Sequence, residues 1–170
     1  VMLSGYTLHY PGAREALAAW IARLPGQVRL LFDPSPLIAQ LPSTLTAPVL
    51  ARADWVSANA DEAKTLTGLA DPAASAAALA ETRAGAIVRL GAGGCVLATG
   101  GATHAVPGLA VDVVDTTGAG DCHVGSFIAE VARTGDALRA ARYATAAAAL
   151  SVTRDGPATP PDRAEVLALL

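Results

Sequence analysis

Residues 113–121 read Val-Val-Asp-Thr-Thr-Gly-Ala-Gly-Asp, and this is the most informative stretch of the chain. It predicts a strand, a glycine turn and the start of a helix, with Asp121 at the exit of the turn. The small residues Gly118, Ala119 and Gly120 leave backbone amides open to an anion, and a helix that begins there adds favourable charge. Asp121 stands where a carboxylate can take a proton from a hydroxyl group. The stretch therefore predicts a turn that holds a phosphate group beside a base.

Two plainer explanations of the turn stay open on these residues alone. Glycines also serve to tighten an ordinary strand-to-helix connection, and an acidic residue in a first helical turn also complements the helix dipole. The turn is not a nucleotide P-loop, because no lysine follows any glycine loop. It is not a dinucleotide fingerprint either, because His123 and Val96 stand where the third glycine of each GxGxxG pattern is required.

Composition limits the classes of protein to consider. A chain of 170 residues predicts one domain. Its net charge of −3 and scattered arginines exclude a nucleic-acid binder, and no apolar run reaches the ~20 residues of a membrane span. Cys95 and Cys122 lack the spacing of a zinc site or a disulfide framework, which predicts reduced thiols in a cytoplasmic protein. The chain begins at Val1 without a targeting segment, and we expect it to be a piece of something longer.

Helix and strand patterns alternate from end to end, which predicts an α/β protein with a mainly parallel sheet flanked by helices. The predicted strands are 1–4, 28–32, 55–57, 86–90, 95–98, 103–106 and the start of 113–121; the predicted helices are 11–24, 46–53, 60–66, 71–83, 119–133, 137–152 and 164–170. In such a sheet, ligands bind beyond the carboxyl ends of the strands. Asp33, Asn59, Gly91 and residues 115–121 all lie at such ends in this interpretation, which predicts one shared site.

The segment DTTGAGDCHVGSF, residues 115–127, resembles the C-terminal signature of the ribokinase-like sugar kinases, the PfkB carbohydrate kinase family. Further segments resemble other parts of the family in the same order along the chain: 4–6, 32–34, 57–68 with its NxxE pattern, 88–94 and 140–161. The resemblance implies a ribokinase-like three-layer sandwich. It implies the C-terminal, ATP-binding part, residues 1–170, without the family's N-terminal region and lid.

By this resemblance, Asp121 is the catalytic base for a sugar hydroxyl. The amides of Gly118, Ala119, Gly120 and Asp121 stabilise the transferring γ-phosphoryl group. Asn59 and Glu62 organise Mg²⁺ through its waters near the ATP phosphates, which suits an ion that keeps several waters. For this last pair, helix capping stays open as the alternative.

The resemblance also implies a nucleotide side of the site. Gly91 and Gly94 border the adenine, with the backbone of Thr116 and the helix face that carries Thr145 nearby. Arg89 stands where the family frequently has threonine or lysine, and we assign it to the cofactor-binding set.

Asp115 matches a position that helps to bind a monovalent cation, usually potassium, together with carbonyl groups of the turn after Val152. A surface aspartate at a strand end is the alternative. His123 occupies a position that is usually aromatic, and we expect it to pack rather than to transfer protons.

The function implied is an ATP-dependent sugar kinase that phosphorylates a sugar or sugar-like hydroxyl with Mg²⁺, and with K⁺ as in several family members. The family's sugar-contacting residues and its lid, which often mediates homodimer formation, come from a region that precedes the matched part. Two alternatives therefore stay open: a non-catalytic nucleotide-binding remnant, and a nucleoside or vitamin kinase of the same superfamily.

Overall fold

A computed structural model gives the structure of residues 1–157 and 159–170. Six strands lie in one mixed sheet, in the order in which they occur along the chain, and helices flank it, which confirms the predicted α/β class. The strands are β1 (Met2–Ser4), β2 (Leu31–Asp33), β3 (Trp55–Asn59), β4 (Gly85–Arg89), β5 (Cys95–Thr99) and β6 (Ala102–Val106). The helices are α1 (Gly5–His9), α2 (Pro11–Ala22), α3 (Ser43–Arg52), α4 (Ala60–Thr67), α5 (Pro72–Ala80), α6 (Ala119–Thr134), α7 (Ala137–Ser151) and α8 (Arg163–Leu169), with short 3-10 turns at Pro36–Gln40 and Gly91–Gly93. Among the described residues, no helix combines the length and the apolar character needed to cross a membrane.

The first of two compact units comprises Val1–Val88 and Ala98–Thr103. Its strands β1, β2 and β3 pair in parallel, so that their carboxyl ends share one edge of the sheet. Phe32 and Val56 are fully buried and directly paired, as expected for strands whose apolar residues are covered on both faces. Asp33 and Asn59 are the last residues of β2 and β3, where the sequence predicts them.

The second unit comprises Arg89–Leu97 and His104–Leu170. Helix α6 packs along α7, and α7 packs against α8. The alanines of α7 are mostly buried because small side chains let neighbouring helices approach closely. Tyr143, Ala146, Ala147 and Val166 form the buried cluster between α7 and α8.

The predicted strand at the start of residues 113–121 is wrong. Val113 and Val114 are 59% and 61% exposed, and the backbone there is irregular. The amide of Val114 donates to the carbonyl oxygen of Val152, at 2.7 Å, in the turn that follows α7. The two valines have strand propensity, but no strand in the described part of the chain pairs with them, and their side chains stay exposed. Residues 115–121 therefore do not lie at the end of a strand, whereas Asp33 and Asn59 end β2 and β3, and Gly91 follows β4.

Two further differences have local causes. Strand β2 begins at Leu31 rather than at residue 28, because the amide of Leu30 donates to the carboxylate of Asp54 at 2.8 Å instead of joining the ladder. Helix α1 is absent from the sequence prediction; it is short, and the Ser4 hydroxyl accepts from the Tyr6 amide at its start.

Candidate active site

The start of α6 is a tight turn that requires glycine. Gly118 has a φ of 80°, and a Cβ there would lie 2.2 Å from the carbonyl oxygen of Pro157. The Ala119 amide donates to Thr116, and the Cys122 amide donates to Gly118 at 2.8 Å, which is the first helical hydrogen bond. Any other residue at position 118 would strain the backbone or displace the turn.

This turn exposes two groups that matter for chemistry. The amides of Gly120 and Asp121 lie in the first turn of a 16-residue helix, where no intrahelical acceptor exists for them. The Asp121 side chain is exposed in the same turn. The guanidinium carbon of Arg89 lies 3.9 Å from the place that a Cβ on Gly120 would occupy, and adds positive charge beside the turn. Open amides, a cation and a carboxylate thus meet at one helix end.

Asp115 contributes a carboxylate to the loop that leads into this turn. Its Oδ1 accepts from the Thr117 amide at 2.8 Å, and its own amide donates to Val152 at 3.2 Å. The backbone amide of Thr117, followed by its side chain, holds the pKa of the Asp115 carboxyl below its usual range, and the Gly156 amide contributes. Asp115 therefore meets the turn after Val152, as the sequence resemblance implies for a cation site. The carbonyl oxygen of Val152 accepts the amides of both Val114 and Asp115.

The glycine loop after β4 is a closed 3-10 turn. The Leu90 amide donates to the Gly94 carbonyl at 2.8 Å, and the Gly94 amide donates to Gly91 at 3.0 Å. Both glycines have positive φ. Gly91 is exposed, whereas Gly94 is buried, and a Cβ on Gly94 would lie 2.1 Å from the carbonyl oxygen of Val106.

Thr145 is buried rather than exposed to solvent. Its hydroxyl lies 3.6 Å from the Cys95 sulfur and 3.5 Å from Nε2 of His123, in a buried polar chain. Burial and, second, the charge of Arg89 lower the pKa of His123 from 6.5 to about 3, so that the imidazole is neutral. Within the described residues, its Nδ1 has no hydrogen-bond partner. The predicted packing role of His123 agrees with its burial; the link to Thr145 joins residues 22 positions apart, and no local pattern signals it.

In the first unit, Asn59 and Glu62 form a capping box at the start of α4. Asn59 Oδ1 accepts from the Glu62 amide at 2.8 Å, and Glu62 Oε2 accepts from the Asn59 amide at 2.8 Å. The Asn59 side-chain amide donates to Glu62 Oε1, also at 2.8 Å. Asn59 and Glu62 therefore cap helix α4, which is the alternative that the sequence left open.

Ser35 is a candidate that sequence reasoning missed. Ser35 lies two residues after Asp33, and its amide donates to Asp33 Oδ1 at 3.0 Å. The Asp33 side chain is buried, with 7% of the residue exposed. Ser35 has a φ of 58°, and in the described part of the chain its buried hydroxyl has no hydrogen-bond partner. Strained backbone and orphaned polar groups concentrate at functional sites. The Asp-Pro-Ser-Pro sequence signals a turn, but not which residue adopts the left-handed conformation.

Over residues 1–157 and 159–170, no three histidine, cysteine or acidic side chains are grouped as ligands of a metal ion. Asn59 and Glu62 supply amide and carboxylate oxygens, and oxygen is the donor atom that Mg²⁺ prefers.

A family model described as pfkB family carbohydrate kinase matches residues 2–164. The chain belongs to the pfkB family of carbohydrate kinases. This pfkB chain is 34% identical to the ribokinase of Haemophilus influenzae, over 96% of the chain and 54% of that enzyme. The chain thus spans about half the length of the curated relatives it matches.

Solved structures of the family agree with the fold. The fructokinase of Vibrio cholerae O395, in a form with fructose, ADP and calcium ion bound, superposes with a TM-score of 0.85 at 28% identity, over 99% of this chain and 59% of that one. The aminoimidazole riboside kinase of Salmonella enterica, complexed with aminoimidazole riboside and an ATP analog, superposes with a TM-score of 0.80 at 28% identity, over 98% of this chain and 61% of that one.

Proposed function

We propose that this chain is the nucleotide-binding and catalytic part of an ATP-dependent kinase that transfers the γ-phosphoryl group of Mg·ATP to the hydroxyl group of a sugar. The observation that supports this most strongly is the exposed Asp121 carboxylate in the first turn of α6, beside the open amides behind Gly118. Membership of a carbohydrate kinase family gives that arrangement its reaction class.

The transfer needs charge stabilisation more than covalent help from the protein. The amides of Gly120 and Asp121, with the positive end of α6, stabilise the charge on the moving phosphoryl group. Asp121 accepts the proton of the acceptor hydroxyl as the new oxygen–phosphorus bond forms. The bond from the γ-phosphorus to the bridging oxygen breaks in the same step, and its electron pair leaves with ADP.

We propose that Asn59 and Glu62 hold waters of the Mg²⁺ that accompanies ATP. The capping box supports this role because it fixes both side chains in one orientation, and Glu62 is only 4% exposed. When bound, the ion neutralises charge on the nucleotide phosphates. Asp115 supplies the carboxylate of a monovalent cation site, with K⁺ as the ion that the family resemblance implies.

The remaining proposed contacts are to ATP. Gly91 and Gly94 border the adenine, and the Thr116 backbone lies on the same side. Thr145 shapes this surface through its carbon atoms, because its hydroxyl lies next to Cys95 and His123. Arg89 contributes positive charge towards the phosphates.

A nucleoside-like alcohol is the second candidate acceptor. Its support is that the aminoimidazole riboside kinase matches this chain at the same 28% identity as the fructokinase. Both acceptors present a hydroxyl group to the same base, so the transfer chemistry is common to the two candidates.

The test is a panel of sugars and nucleosides incubated with Mg·ATP and the complete polypeptide, with phosphate esters detected by phosphorus NMR. We expect one acceptor class to be phosphorylated by the wild-type protein and not by Asp121→Asn. If the protein binds an ATP analogue but phosphorylates no member of the panel, it is a nucleotide-binding remnant and the proposal is wrong.

A further inference from the structure

A buried glutamate in the second unit gathers three arginines around it. The side chain of Glu130, on α6, is 1% exposed. Arg133 binds it with two N–H groups at 2.7 and 3.1 Å, Arg139 with one at 3.0 Å and Arg163 with one at 2.7 Å. These arginines come from the last turn of α6 and the first turns of α7 and α8. We call Arg133, Arg139 and Arg163 the arginine cluster.

The arginine cluster carries more charge and more donors than Glu130 uses. Hydrogen bonds from Arg133 first, and then from Arg163, lower the pKa of Glu130 to about 2, so the cluster holds one negative charge against three positive ones. The arginine side chains are 48%, 53% and 41% exposed, while the carboxylate is shielded from solvent. Each guanidinium group has several N–H donors, and only four in all are bonded to Glu130.

Nearby acidic residues cancel only part of this excess. Asp136 and Asp162 cap α7 and α8, and their carboxylates accept from the Arg139 and Glu165 amides at 2.9 Å each. Each one thereby offsets the positive end of its own helix. Arg142, exposed and three positions after Arg139 on α7, adds a further positive charge on the same helical face.

The cluster is also held in place before any ligand arrives. The shared carboxylate fixes all three guanidinium groups, and Arg163 lies over the ring of Tyr143, with 5.2 Å between the guanidinium carbon and the ring centroid. A long side chain that is already ordered loses less conformational entropy on binding. Preorganised guanidinium forks match the paired oxygens of a phosphate group.

We propose that the arginine cluster is a binding site for a small, doubly charged anion of the phosphate class, either free phosphate or a phosphate monoester. Its size, on a chain of net charge −3, suits one anionic group rather than a polyanion. The site is separate from the catalytic turn, because Asp121 and Arg133 are twelve residues apart on α6, or ~18 Å along the helix. It takes no part in the proposed transfer reaction, so its failure would leave that proposal untouched.

The test is calorimetric titration of the full chain, at low ionic strength, with inorganic phosphate and separately with glycerol 3-phosphate. Arg139→Gln should weaken the binding of both roughly tenfold, because one charge-assisted contact is lost while Glu130 keeps two partners. Arg23→Gln is the matched control; Arg23 is exposed in the first unit and donates to the Ala19 carbonyl, and its loss should change nothing. Glu130→Gln should tighten binding, because it removes the negative charge inside the cluster while the glutamine carbonyl oxygen still accepts hydrogen bonds from the guanidinium groups.

Circular dichroism of each variant establishes that the helices are intact. Opposite effects of Arg139→Gln and Glu130→Gln support the proposal, and the ratio of the two ligand affinities shows which form of phosphate the site prefers. Phosphate binding that is equal in Arg139→Gln and Arg23→Gln lies outside the arginine cluster and overturns the proposal. The absence of binding, or an unchanged affinity in Glu130→Gln, also overturns it.

Discussion

Acidification from pH 7 to pH 5 should destabilise this protein through one buried side chain, His123. Its pKa is about 3 in the folded protein against 6.5 for an ordinary histidine, because burial and then the charge of Arg89 disfavour the imidazolium. The folded value is the lower one, so the unfolded chain takes up the proton first. The free energy of unfolding is therefore unaffected by this histidine above pH 6.5, and it decreases as the pH falls below that value.

The size of the effect follows from proton linkage. Protonation of one histidine in the unfolded chain between pH 7 and pH 5 lowers the free energy of unfolding by about 2 kcal/mol. With a urea dependence of about 2 kcal/mol per molar, the unfolding midpoint should fall by about 1 M. Urea denaturation at pH 7, 6 and 5, followed by circular dichroism, measures this directly.

His123→Leu separates this histidine from every other titrating group. The variant keeps the remaining histidines and all carboxylates, so its free energy of unfolding should depend less on pH by about 2 kcal/mol over the same range. The comparison uses the difference between two pH values, and any uniform loss of stability in the variant cancels. Equal pH dependence of the wild-type protein and His123→Leu would refute the reasoning, because His123 would then be free to protonate in the folded state.

Two further predictions concern the starts of helices α6 and α4. Gly118→Ala should lower the free energy of unfolding by about 1–3 kcal/mol, because the added methyl group meets the Pro157 carbonyl oxygen and the backbone there is left-handed. Gly125→Ala is the matched control on the same helix. Its methyl group enters open space, so this variant should be neutral or stabilising by up to about 1 kcal/mol. Denaturation of both variants checks this, and an equal response would contradict the described geometry. Asn59→Ala removes the cap of α4 and should lower the free energy of unfolding by about 1 kcal/mol; it should also weaken Mg·ATP binding. Asp71→Ala removes the cap of α5 and should lower the free energy of unfolding without affecting Mg·ATP binding. Urea denaturation and titration with a Mg·ATP analogue measure the two effects, and unimpaired nucleotide binding by Asn59→Ala would argue against the metal role.

The sequence predicts those parts of the fold that local chemistry determines. Helix α4 begins at Asn59 with a capping box and ends at Gly68, whose φ of 75° is the left-handed conformation expected of a glycine that closes a helix. Asp33 ends its strand as predicted, because a buried apolar run followed by a proline-rich turn has few other outcomes. The start of α6 at Ala119 is also predictable, because the glycine turn directly before it marks the beginning of the helix.

The rest depends on packing between segments that are distant in sequence. Val113 and Val114 have the composition of a strand, yet the Val114 amide donates to Val152 after α7, and no strand of the described residues pairs with the two valines. The His123–Thr145 contact and the arginine cluster form only when α6, α7 and α8 pack together. A sequence pattern shows the Glu130–Arg133 pair of one helix, but not the arrival of the other two arginines.

The most direct test of the proposed phosphoryl transfer is a single-turnover measurement with γ-labelled ATP and an accepted alcohol, comparing Asp121→Asn with the wild-type protein. Asp112→Asn is the matched control, since it removes an exposed carboxylate from the loop before the turn. We predict that Asp121→Asn binds the ATP analogue as the wild type does but transfers phosphate 10²–10⁴-fold more slowly, roughly the loss expected for a general base, while Asp112→Asn retains the wild-type rate. Transfer by Asp121→Asn within a few-fold of the wild-type rate would contradict the assignment of Asp121 as the base.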